Sequence, residues 1–167
     1  LLLLNFEIRR NFMSTNNVLV NNLCSWPLYF KRAVGAGDVE IPPNAKGFPL
    51  LTYEEVLTQI QLQNKLFVGT DNMGAHARIQ IANDTQRKEL FGITDIEVNP
   101  PVMVTLEAVK NLLSIRTKAK FHERLKEMVQ TDAEKKMLVE LAFKAGAEEA
   151  ETWKVDALRE VANTAGI

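Results

Sequence analysis

Apolar and polar positions follow two different rhythms along this chain, and the change falls near Pro100 and Pro101. Before the prolines, short apolar runs are broken by Asn, Gly and Pro; after them, apolar residues recur at helical spacing. "VLVNNLCSWPLYFKRAV" holds two apolar runs separated by Asn21-Asn22 and interrupted by Pro27. A proline confines a strand to a sheet edge or marks a bulge, because it has no N–H for the ladder. In "GAGDVEIPPNAKGFP", Val39 and Ile41 alternate against Asp38 and Glu40, which predicts a short extended segment between turns. "LTYEEVLTQIQLQN" predicts a helix. Thr52 can cap it, Glu55 can reach back to complete a capping box, and Leu51 and Val56 stand where a hydrophobic staple closes. Val56, Leu57 and Ile60 form its stripe, and Asn64 supplies a stop.

"FVGTDNMGAHARIQI" reads as a hairpin. Leu66 and Val68 alternate with Lys65 and Phe67 on the first arm; Ala75, Ala77, Ile79 and Ile81 alternate with His76, Arg78 and Gln80 on the second. "TDNMG" between them supplies residues that tolerate positive φ. "NDTQRKELFG" then predicts a short helix capped by Asn83 or Asp84. Beyond the prolines, Thr105 opens a segment with Leu106, Val109, Leu112 and Leu113 on one side. Thr117 opens the next, with Phe121, Leu125, Met128 and Val129 in helical register. Thr131 and Glu134 predict a second capping box, and Leu138, Leu141, Ala142 and Ala145 lead to a C-terminal cap at Gly146. A last helix holds Trp153, Ala157, Leu158 and Val161 and ends at Gly166.

The expected fold class is therefore α+β. A small β-rich unit, barrel- or sheet-like with one inserted helix, spans 13–99, and a C-terminal bundle of three to four short helices spans 100–167. "LLLLNFEIRRNF" precedes the first methionine, Met13, and residues 1–12 read as upstream translation, with a short edge strand as the alternative. Four leucines with no basic segment before them predict neither a signal peptide nor a transmembrane segment. The expected location is the cytoplasm or a virus particle.

Composition narrows the chemistry. A chain of 167 residues fits one domain or two very small ones, and its hydrophobic fraction of 46% is enough for a packed core. The net charge of -1 lowers the expectation of a polyanion partner. Residues 100–167 are balanced too, with equal numbers of basic and acidic side chains. The single cysteine, Cys24, excludes an internal disulfide and any zinc site built from several thiolates. No base accompanies Cys24 locally, so it reads as a buried structural thiol in an apolar strand.

Asp71, His76 and the distant His122 could supply one carboxylate and two imidazoles, but no H-x-x-x-H or H-E-x-x-H spacing joins them. A hydrolase or metalloenzyme centred on His76 is the third reading. "VGAGDVEI" lacks the third glycine and the strand-then-helix setting of a dinucleotide loop. "IRTKAKFHERLKE" gathers Arg116, Lys118, Lys120, Arg124 and Lys126, which could lie along a phosphate backbone. The step to the helix at Thr131 resembles a helix-turn-helix corner. Glu123 and Glu127 interleave, however, and predict a solvated face of paired charges. Trp26, Tyr29, Phe30, Phe48 and Tyr53 make the first part aromatic-rich, as core or as a protein-binding patch.

"VNNLCSWPLYFKR", "GDVEIPPNA" and "GTDNMGAHARIQI" together resemble small uncharacterised proteins encoded by tailed bacteriophages and prophages, over residues 18–91. The resemblance brings no catalytic motif. It implies a viral setting, in which a compact β unit with a helical appendage serves as a virion or accessory interaction module. The leading expectation is thus a non-enzymatic protein-interaction module, associated with the virion or capsid. It has no cofactor, metal ligand or catalytic residue. Trp26, Tyr29, Phe30, Asp71, Asn72, His76 and Arg78 are its candidate protein-binding residues, and a viral or host protein its partner. Self-association remains open and no membrane is involved. The alternative is a nucleic-acid-binding regulator or packaging accessory acting through Arg116, Lys118, Lys120, Arg124 and Lys126.

Overall fold

A computed structural model describes residues 17–95 and 99–167, so the reading of residues 1–12 lies outside the described residues. The chain divides at Pro100/Pro101 into two compact units. Among the described residues, small antiparallel sheets and seven α-helices give a mixed α+β protein.

The first unit contains β1 (Asn17–Asn22), β2 (Leu28–Lys31), β3 (Asp38–Ile41), β4 (Phe48–Thr52) and β5 (Ile79–Ile81). Among them lie α1 (Tyr53–Gln61), α2 (Lys65–Val68) and α3 (Asp84–Leu90). The strands form a three-stranded antiparallel sheet in the order β4-β1-β5 and a separate β2-β3 hairpin. Alternation decides which way each strand faces: Val18, Val20 and Asn22 of β1, Leu28 and Phe30 of β2, and Val39 and Ile41 of β3 are buried. Phe30 meets Phe67 edge-on at 5.3 Å between ring centres. Pro27 sits just ahead of β2, outside both ladders. Cys24 is fully buried as expected, although in the bend after β1 and not in a strand.

Because the two sheets share no ladder, buried polar side chains connect them. Asn22 ends β1, and its amide nitrogen donates to the carbonyls of Trp26 and Pro42 at 2.9 Å and approaches that of Ile41 at 3.3 Å. Its amide oxygen accepts from Cys24 N–H at 2.8 Å, so every polar atom of a side chain just 3% exposed is used. Glu55 does the same for the far end of the hairpin. Thr52 caps α1 as predicted, accepting from Glu55 N–H at 3.1 Å, and Leu51 and Val56 are both fully buried. The carboxylate of Glu55, however, does not close a capping box. It leaves the helix and accepts from the N–H groups of Ala33 and Val34, just past β2, at 2.8 Å each. Gln59, one turn on, donates to Glu55 and to the Lys31 carbonyl, also at 2.8 Å. Two part-buried backbone donors take the carboxylate that a capping box would have turned back to the Thr52 N–H.

Two helices, α1 and α2, are inserted among the strands in place of the expected one, and the expected short helix α3 follows β5. Asn83 caps α3 as predicted, accepting from Gln86 N–H at 3.0 Å. The predicted first arm of the 67–81 hairpin is instead α2. Asn64 does not end a helix but starts this one, accepting from Leu66 N–H at 3.1 Å. Neighbouring Phe67 and Val68 are both buried, at 2% and 1% exposure, which a strand with one wet face cannot achieve because successive side chains point opposite ways. A helical turn buries both. The second arm shrinks to β5, and residues 69–78 form a compact loop.

The second unit contains α4 (Leu106–Leu113), α5 (Lys118–Met128), α6 (Asp132–Lys144), a 3₁₀ turn (Ala147–Glu149) and α7 (Thr152–Thr164). Thr105 caps α4 by accepting from Ala108 N–H at 3.1 Å, and the Thr131–Glu134 capping box is formed in full. Gly146, at φ 79, ends α6 in the left-handed conformation that glycine adopts without strain. Helix α4 packs on α5 and α6, and α6 on α7. The core they close holds Val109, Leu112, Phe121, Leu125, Met128, Leu138 and Leu158. On α6 the stripe is shifted from the expected one: Met137, Leu138 and Ala142 are buried, whereas Leu141 and Ala145 are half-buried.

Glu55→Ala strands the two N–H groups and is expected to lower stability by about 3 kcal/mol in urea unfolding. Burial pushes the Glu55 carboxyl pKa up. Hydrogen bonds from Ala33, Gln59 and Val34, with the charge of Arg32, outweigh burial and hold it below the ordinary glutamate value. A depressed carboxyl stabilises the fold above its unfolded pKa and loses that contribution as pH falls through its folded one. Unfolding at acid pH should therefore show a stability loss that Glu55→Gln flattens. An unchanged acid limb in that variant would contradict the assignment.

Candidate functional site

The loop after α2 is built from the residues that made this stretch look like a site, and most of them are occupied in building it. Asp71 accepts from the N–H groups of Met73 and Ala75 at 2.8 and 3.0 Å, closing the turn with its own carboxylate. Asn72, at φ 60, accepts from Lys65 Nζ at 2.7 Å, which ties the tip back to α2. His76 is half-buried and also has positive φ, at 61. Arg78 is half-buried, and its carbonyl accepts from Leu23 N–H at 3.0 Å, anchoring the loop's exit beside β1. Gly69 makes the entry possible. At φ 64 it passes so close to Ala75 that a Cβ would overlap the Ala75 carbonyl. The loop thus carries Asp71, Asn72 and His76 on a backbone held by these bonds, with Met73 exposed at its tip.

The aromatic candidates separate. Tyr29 stands out from β2, 60% exposed, and donates to Glu40 Oε1 across the hairpin at 3.1 Å. That hydrogen bond, slight burial and the charge of Glu40 hold its phenol above the usual tyrosine pKa. Trp26 is half-buried in the bend before β2. Phe30 is 8% exposed and packed on Phe67, so it belongs to the core and offers no contact surface. Phe48 and Tyr53 are half-buried.

An exposed apolar group escaped the sequence reading. Between the Val18↔Leu51 and Val20↔Phe48 pairs, the single residue Leu19 opposes both Pro49 and Leu50, a β-bulge on edge strand β4. All three are exposed, Leu19 at 45% and Leu50 at 65%. The side of the sheet that should be polar therefore carries an apolar spot. The signal was present: "VLV" and "FPLL" contain more consecutive apolar residues than one buried face can take up. Asn21 and Gln80 border the spot on β1 and β5, joined by a hydrogen bond of 3.1 Å.

In the second unit, Arg116, Lys118, Lys120 and Lys126 are exposed and Arg124 is half-buried. Arg124 pairs with Glu127 at 2.8 Å, and among the described residues no carboxylate pairs with the other four. Helical geometry divides the cluster. Glu123 and Glu127 project near the middle of the face opposite Phe121, Leu125 and Met128, with Lys126 on one side and Lys120 and Arg124 on the other. His122 lies on the same helix, in the unit that does not contain Asp71 and His76. Among the described residues, no group of three or more His, Cys, Asp or Glu side chains is placed to hold a metal ion. Among them too, no helix is long and apolar enough to cross a membrane.

Lys154 was not anticipated. It is 2% exposed on α7, donates to the Leu113 carbonyl at the end of α4 at 2.6 Å, and pairs with Glu151 at 2.8 Å. Its ammonium also lies 5.3 Å from the Trp153 ring centre, whose ring meets Phe121 edge-on at 5.1 Å. The cation completes the C-terminus of one helix from the side of another. This makes it a structural joint, not a reactive amine.

No protein-family model, no curated protein and no solved structure matches the chain.

Two stability measurements test these placements. Gly69→Ala should cost at least about 2 kcal/mol, since backbone must move. Gly47→Ala, also at positive φ but with open space around it, should cost about 1 kcal/mol. Equal losses would mean that the close approach at Ala75 is not a constraint. Lys154→Met should lose about 2–3 kcal/mol by leaving the Leu113 carbonyl unpaired, whereas Glu151→Gln, on an exposed partner, should leave thermal unfolding nearly unchanged.

Proposed function

We propose that this protein is a non-enzymatic protein-interaction module of phage type, an accessory of the virion that binds through its strand-bearing unit. The observation that carries the reading is the exposed apolar trio Leu19, Pro49 and Leu50 on a sheet held rigid by buried hydrogen bonds. Apolar side chains gathered on a rigid face and bordered by amides are the usual make-up of a protein contact. Exposed Tyr29 and Met73 add two further contact groups on the same unit. The resemblance over residues 18–91 supplies the viral setting. The use of Asp71 in turn closure and the burial of Cys24 support binding over catalysis. In this reading the helical unit holds the first in place or engages a second partner.

A second reading rests on Arg116, Lys118, Lys120 and Lys126, exposed without carboxylate partners among the described residues. It makes the helical unit a nucleic-acid contact, and it requires duplex DNA binding that weakens steeply as salt rises. Absence of DNA retention at low salt removes it.

For the leading reading, the protein is expected to co-purify with intact virus particles through gradient sedimentation. Leu19→Ser combined with Leu50→Ser should release it while leaving its thermal unfolding unchanged, because both side chains are exposed. Particles that lack the wild-type protein, with no viral protein captured by it, would remove the virion role.

A further inference from the structure

The strongest apolar irregularity of the helical unit lies on α6. Helix α6 buries Met137, Leu138 and Ala142, yet one residue further on Phe143 stands 63% exposed. Val139, one turn before Phe143 on the same face, is half-buried. Phe143 borders a groove of about 220 Å³ between α6, the 3₁₀ turn and α7. Val139, Ala142, Ala147, Val155, Leu158 and Ala162 line it, all apolar and most of them small. A pocket of about 150 Å³ with apolar walls accepts a benzene molecule, so this groove has room for a phenyl ring. Projection and recess therefore sit side by side on one patch.

Among the described residues, the charged ones lining this groove are Glu148 and Arg159, of opposite sign. Both are exposed. Among the described residues Glu148 has no ion-pair partner, and Arg159 has only a 3.7 Å contact with Asp156 on its own helix. A patch that carries both a knob and a hole, and both signs of charge, holds the elements that an isologous two-fold contact pairs with each other. We propose that this groove is the docking site for a second copy of the same chain. The two copies pair around a two-fold axis, each Phe143 entering the other's groove and each Glu148 facing the other's Arg159. An isologous pairing of this kind uses every unsatisfied feature of the patch twice. A peptide of one charge sign would satisfy only half of the rim. The proposal concerns the second unit and is independent of the virion reading, which rests on the first.

Sedimentation velocity on the full chain across a dilution series provides the test. The wild-type protein is expected to show a concentration-dependent monomer–dimer equilibrium, and Phe143→Ser to weaken it at least about 30-fold, as loss of a central aromatic anchor does. Glu148→Arg and Arg159→Glu should each weaken the dimer, and the two together should restore much of the lost affinity, because the pair is then reversed as a whole. Circular dichroism checks folding. Phe143 is exposed in the monomer, so its replacement should leave the spectrum unchanged; if that variant fails to fold, the charge cycle alone decides. A wild-type chain that stays monomeric overturns the proposal. So does a dimer that Phe143→Ser leaves equally tight, or a double reversal no tighter than the single ones.

Discussion

Two small sheets that share no ladder have to be held by side chains, and in the first unit that task falls to two polar residues with almost no exposure. Asn22 joins the end of β1 to the end of β3 through carbonyls and one N–H. Glu55 joins α1 to the chain just beyond β2 through a carboxylate. Apolar packing alone would let the β2-β3 hairpin slide over the sheet, since dispersion has little directional preference. Hydrogen bonds made inside the protein do have direction, and breaking one leaves a group that water cannot reach. The hairpin that presents Tyr29 is fixed relative to the sheet that presents Leu19 and Leu50 for this reason.

The helical unit solves a similar problem with a cation. Helix α4 ends without a glycine; the N–H groups of Ser114 and Ile115 donate to the carbonyls of Lys110 and Leu112, and the ammonium of Lys154 reaches across from α7 to the Leu113 carbonyl. Short helices gain little from their own hydrogen bonds and depend on such cross-links together with burial of their stripes. Trp153 beside Lys154 closes over Phe121 of α5, so one stretch of α7 touches the two helices that precede α6.

Much of the local architecture could be read from the chain, because capping and periodicity are local. Thr52, Asn83, Thr105 and the Thr131–Glu134 pair all cap helices where the residues suggested, and β3 alternates as expected. What failed did so where distant partners compete. Glu55 has a nearby cap position available but is drawn to backbone donors more than twenty residues earlier in the chain. Residues 65–68 alternate like a strand, yet Asn64 caps them into a helical turn that buries Phe67 and Val68 together. Of the candidate site, the loop's turn-forming residues were legible and their roles were not. Asp71, weighed also as a site carboxylate, is a backbone acceptor, and Phe30, open between core and contact patch, is core. Leu19 and Leu50 were passed over because burial of apolar residues is the default expectation for any strand.

Pro49 also shapes the edge of the sheet. It lies on β4, the outer strand of the three-stranded sheet, and has no N–H to offer a neighbouring chain. The bulge it occupies also disturbs the straight row of donors and acceptors that strand addition needs. The kink that gathers Leu19 and Leu50 on the surface thus spoils the template for fibril growth beside them. A protein built this way can be crowded, apolar spot outward, without strand β4 zipping onto a neighbour's edge.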